Sequence, residues 1–185
     1  MDPLDQLDQL GPQLAKVVGN ITPEQLDNST PCANFTVRGV LEHMVGGATA
    51  FAAGFRGQPA PTGTPTGDAL AAFGPALTNL ATAMHEPGAL DRTIQAPFGA
   101  VPGETFARFV VFDGLVHGWD LAIATGQPYD PPDELVADVQ AFAAGAIEPL
   151  RDGDTFAAAV EPPKGSTPIE QLASLSGRSV AGGQR

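Results

Sequence analysis

The stretch that decides the fold reads "GETFARFVVFDGLVHGWDLAIATG", Gly103 to Gly126. Its apolar residues recur at steps of three and four and it closes on a glycine, the pattern of a long helix with a glycine cap. Three polar residues interrupt it: Asp113, His117 four places on, and Asp120 three after that. At 100° per residue they share a wedge of about 60°, in line with Phe106, Phe109, Val110 and Ala124. A helix that turns such groups inward must partner them, because a buried polar group without a hydrogen bond is costly.

Outward from this helix the same periodicity predicts its neighbours. Leu4, Leu7, Leu10, Leu14 and Val17 mark a first helix ending near Asn20, with Asp2 as N-cap, Pro3 as first helical residue and a kink expected at Pro12. A second begins at about Thr36, with Val37, Val40, Met44 and Phe51 on its apolar surface, Arg38 and Glu42 opposite, and His43 beside the apolar face. After a proline- and glycine-rich connector, Leu70, Phe73, Leu77, Leu80 and Met84 give a third, closed by Pro87 and Gly88. "DRTIQAPFGAVPG", Asp91 to Gly103, reads as a small hairpin or extended excursion. Asp130 and Pro131 open a capped fifth helix through Leu135, Val139 and Phe142; "TFAAAV" before Glu161 reads as a short strand, and "TPIEQLASLSGR" as a last short helix ending at Gly177. The expectation is a mainly all-α chain: one helical-bundle domain over residues 1–178, a minor β element, and a frayed tail at 179–185.

Composition narrows the partners. A net charge of −12 with nine lysines and arginines offers no footprint for a phosphate backbone, so nucleic acid is not expected. No apolar run reaches the ~18 residues of a membrane span, and "MDPLDQLDQL" lacks the basic start and apolar core of a secretory signal. The single cysteine, Cys32, forms no intramolecular disulfide and suits a reducing compartment, so a cytoplasmic location is expected. Cys32 itself reads as a small buried hydrophobe, with a helix N-terminus able to make it reactive as the alternative. His85 reads as an exposed last-turn residue, and Asn28 and Asn34 as turn and capping residues.

An acid and an imidazole at i and i+4 can point at one position, and His43 on another helix could supply a third ligand. Two imidazoles and one carboxylate leave open coordination positions, as in catalytic zinc and some non-haem iron sites. A plain Asp–His hydrogen bond in a metal-free core would satisfy the same residues, and spacing alone leaves both readings open.

Four blocks carry a resemblance: "TPCANFTVRGVLEHMVGG" (30–47), "PGALDRTI" (87–94), "PFGAVPGE" (97–104) and "VFDGLVHGWDLAIATGQ" (111–127). In order and spacing they resemble the actinobacterial metal-binding proteins related to mycothiol-dependent maleylpyruvate isomerase, of the DinB/YfiT-like superfamily. The resemblance runs nearly the whole chain, to the closing "LASLSGR". It implies a DinB-like four-helix bundle holding one divalent metal, zinc first, with nickel or iron as alternatives. His43, Asp113 and His117 match the ligand positions, Asp113 standing where the isomerase has glutamate. Asp120 matches a position expected to orient His117 from behind.

The activity implied is a metal-dependent transferase or isomerase that uses a low-molecular-weight thiol such as mycothiol and acts on a small electrophile. The alternative is a non-catalytic metal- or small-ligand-binding protein of the same fold. A homodimer is compatible with either. The isomerase has an additional C-terminal domain contributing to its substrate site, whereas this sequence ends soon after the bundle, so maleylpyruvate isomerisation itself is not the expectation.

Overall fold

In the N-terminal stretch the Asp2 carboxylate accepts from the Leu4 amide and Pro3 takes the first helical position, so α1 runs Pro3–Gly19 and continues through Pro12. Thr36 caps α2 (Val37–Phe55) through the Gly39 amide, and Asp68 caps α3 (Ala69–His85). Strands β1 (Thr93–Ala96) and β2 (Gly99–Pro102) pair antiparallel, from Thr93 opposite Pro102 to Ala96 opposite Gly99. They lead into α4 (Gly103–Thr125), which stops at Gly126 in the left-handed conformation, with the Gln127 amide bonded back to the Ala122 carbonyl. Then come α5 (Asp133–Ala146) and α6 (Pro168–Leu175), the latter opened by a reciprocal Thr167–Glu170 cap. This computed structural model describes residues 1–61, 67–96, 98–151 and 156–180.

Helix α1 packs on α3 and α4, and α2 packs on the same two, which closes a ring of four helices. Helices α5 and α6 lie against α4 and each other on its remaining side. The chain is therefore mainly helical, a DinB-like bundle with one hairpin, as the sequence predicts. One hydrophobic core extends from Leu7 to Ala173. No helix of the described residues is long and apolar enough to cross a membrane.

Three local expectations change. The inward stripe on α4 does not exist as such: from Phe106 to Ala122 the helix is buried around nearly its whole circumference, because it has neighbours on both sides. Helix α5 starts at Asp133, and its N-cap Pro132 makes no side-chain cap. Asp130 and Pro131 both precede a proline, which disfavours helical backbone at each. Residues 156–160 form no strand; the Val160 amide bonds the Ser174 carbonyl instead. Thr155 of that expected strand and residues 181–185 of the expected tail lie outside the described residues.

Two glycines set how closely α1 approaches α4. A Cβ at Gly114 would stand 2.8 Å from Leu10 Cδ2, and one at Gly118 would stand 2.8 Å from Leu14 Cδ2 and 2.5 Å from the Tyr129 hydroxyl. Both lie within the segment Asp113–Asp120 that carries the polar cluster.

Candidate functional site

Two turns into α2, His43 reaches toward α4, where Asp113 and His117 stand one turn apart. His43 Nε2 is 3.4 Å from Asp113 Oδ1, and His117 Nε2 is 3.5 Å from the same oxygen. The two imidazoles meet edge to face, with centroids 4.8 Å apart. One donor atom from each of the three residues lies within 4.8 Å of the other two. His117 is buried, whereas His43 and Asp113 keep more than a third of their side-chain surface open. The structure thus brings together the three residues singled out in the sequence.

Asp120 occupies the other side of His117. It is fully buried, and its Oδ2 lies 3.0 Å from His117 Nδ1. Arg178 donates to the same carboxylate, through Nη2 at 2.9 Å and Nε at 3.4 Å. A carboxylate held by a guanidinium accepts the Nδ1 proton, which leaves the Nε2 lone pair of His117 directed at Asp113 and His43. The electrostatics follow the geometry. The hydrogen bond with Asp113 raises the His43 imidazole above its ordinary pKa, against burial. Burial would raise the Asp113 carboxyl, but the charge His117 carries whenever it is protonated and the hydrogen bond from His43 together hold it below the usual carboxylate range.

The cluster lines a cleft of about 470 Å³. Cys32 lines this cleft too, half-buried, with its sulfur within 4.8 Å of one ligand atom each of His117 and Asp120. Burial pushes its thiol up, against the charge of Arg178 nearby. Phe35 packs over the imidazoles, its ring 5.6 Å from His43 and 6.4 Å from His117. Phe51, Phe98, Phe106, Phe109, Phe112 and Phe156 form the rest of the aromatic wall. Phe106, Phe109 and Phe112 are buried in the core and also face the cleft. His85 is where the sequence put it, exposed on the last turn of α3, and does not line this cleft. Asn28 caps the far end of α4 through the Ala124 carbonyl.

Arg178 was not legible as a site residue. It belongs to the "LSGR" that closes α6, and only the left-handed turn at Gly177 (φ 92°) gives a local sign that the chain reverses there.

Comparisons with known proteins agree with this architecture. The family model described as the mycothiol maleylpyruvate isomerase N-terminal domain matches residues 7–122, a span that holds His43, Asp113, His117 and Asp120 but not Arg178. Two relatives from Mycobacterium tuberculosis, the uncharacterized proteins MT0763 of strain CDC 1551 / Oshkosh and Rv0738 of strain ATCC 25618 / H37Rv, are each 33% identical over 182 residues. Each alignment covers 97% of this chain and 100% of the relative. No solved structure matches the chain. By the extent of the family match and of the relatives, the chain belongs to the mycothiol maleylpyruvate isomerase N-terminal domain family.

Proposed function

We propose that the protein is a metal-dependent, thiol-using transferase or isomerase acting on a small electrophile, with a divalent ion held by His43, Asp113 and His117. The observation that carries this is the convergence of three donor atoms from two helices, 3.4 and 3.5 Å apart along the two shortest edges. Tetrahedral bonds of about 2.0–2.2 Å put neighbouring ligand atoms roughly 3.3–3.6 Å apart, and both histidine–aspartate edges of the donor set have that spacing. When bound, the ion would hold a low-molecular-weight thiol such as mycothiol as its thiolate, the nucleophilic form.

The protein's own residues do the rest. Asp120, braced by Arg178, keeps the His117 Nδ1 proton in place, so Nε2 stays a free donor. Phe35 and the phenylalanine wall exclude water from the cleft. The open surface of His43 and Asp113 gives a small thiol a way in.

A second reading, a metal- or ligand-binding protein without catalysis, draws on one observation. Beyond the three expected ligands, the described residues lining the cleft include just two further ionisable side chains, Cys32 and Arg178, and Arg178 is already paired with Asp120.

Metal analysis tests the site first. The wild-type chain should carry one divalent ion, and the double variant His43→Ala/His117→Ala should carry none while keeping its helical circular dichroism. Full occupancy in that variant would remove the assignment. Cobalt-loaded protein should then develop a sulfur-to-metal charge-transfer band on addition of mycothiol, and the affinity should fall as pH drops, since protons compete for the sulfur and both histidines. Silence toward mycothiol, glutathione and bacillithiol, or a band without turnover of any electrophile, would favour the binding-protein reading.

A further inference from the structure

The cleft has two unlike kinds of lining. Its polar lining includes His43, Asp113, His117, Cys32 and Arg178; seven of the chain's ten phenylalanines supply much of the rest, Phe35 over the imidazoles and six along the wall. Several pack ring against ring: Phe98 lies tilted against Phe109 at 5.0 Å between centroids, Phe51 meets Phe106 edge to face at 4.9 Å, and Phe112 lies 5.9 Å from Phe156. Such a wall gains by burying apolar or aromatic surface and offers a carboxylate nothing.

Charge sharpens the point. Among the described residues that line the cleft, Arg178 is the one permanent cation. Each of its guanidinium nitrogens is already engaged inside the protein: Nε and Nη2 with Asp120, Nη1 with the carbonyl and hydroxyl oxygens of Ser176. A dicarboxylate could bring one carboxylate to a bound ion, but its second would find no uncommitted cation in the lining, only neutral donors such as the Asn34 amide.

We infer that the electrophile taken by this site is a neutral molecule with an aromatic or other apolar body, and not a dicarboxylate. The inference rests on the thiol-using reading for its chemistry, whereas the selectivity comes from the walls alone.

Two enoates of opposite character test it without thiol and so without turnover: methyl cinnamate, neutral and aromatic, and fumarate, a dianion. Each is titrated calorimetrically into the full chain, metal-free and zinc-loaded. Methyl cinnamate should bind at least about tenfold more tightly than fumarate in both forms. Phe98→Arg and Phe156→Arg, at half-buried wall positions, each place a free cation on the phenylalanine wall and should narrow that gap by about tenfold or reverse it. Circular dichroism checks both folds; should one variant misfold, the other decides, and the wild-type comparison stands regardless.

Fumarate binding as tightly as the ester, or no ester binding in either form, would overturn the inference even if zinc loads fully. Failure of zinc to load would overturn the proposed function instead, and the metal-free titration would still decide the selectivity.

Discussion

Asp120 has no exposed surface, yet a histidine and an arginine hold it from two sides. Its negative charge makes His117 a better donor at Nε2, and a neutral amide at this position keeps the shape but loses that effect. Asp120→Asn should therefore weaken zinc affinity by about 10–100-fold, measured by competition with a chromogenic chelator, while the ion still binds one per chain. Unchanged affinity would reduce Asp120 to a packing element. The two aspartates were separable in the sequence only through the family resemblance, because spacing puts both on the same wedge of α4 as His117. What distinguishes them in space is which imidazole nitrogen each faces, Nε2 for Asp113 and Nδ1 for Asp120.

On the scale of elements, the helix that defines the fold is also the one with the least latitude. Helix α4 contacts α1, α2, α5 and α6, so nearly every side chain in its middle meets another helix. Gly118→Ala would drive a Cβ to 2.5 Å from the buried Tyr129 hydroxyl and 2.8 Å from Leu14. Overpacking of this kind costs about 1–3 kcal/mol, to be read as a lower midpoint in urea with an unchanged slope. Adding Tyr129→Phe removes the hydroxyl, which is buried without a partner among the described residues, and should recover part of the loss. An unaltered midpoint in Gly118→Ala would mean that α1 can move away from α4 freely.

Element boundaries were legible wherever a cap announces them: Asp2 and Pro3 for α1, Thr36 for α2, Gly126 for the end of α4, Thr167 with Glu170 for α6. They were not legible where tertiary neighbours decide. Nothing local says that residues 156–160 lie extended without a partner strand, or that α4 is enclosed on both sides by α5 and α6 as well as by the bundle. Single-helix periodicity reports one buried face and is silent about a second.

Across the whole molecule the site depends on a contact between distant parts of the chain. The matched family span ends at residue 122, but the counter-charge to its buried aspartate comes from Arg178, beyond α6. Arg178→Met should destabilise the fold by about 3–5 kcal/mol, because it leaves Asp120 buried and uncompensated. Combining it with Asp120→Asn should return much of that loss in a double-mutant cycle of unfolding free energies. Strict additivity of the two changes would show that the pair does not act as a unit.

Arg178 follows Asp120 by 58 residues. At a ribosomal pace of about 5–20 residues per second, roughly 3–12 s pass between the synthesis of the acid and the synthesis of its counter-ion. Throughout that interval the nascent α4 holds a carboxylate that cannot be taken out of water cheaply. Until then His117 on the same helix is the partner at hand for that carboxylate, and the pairing that closes the centre of the bundle over Asp120 waits for the segment beyond the last helix.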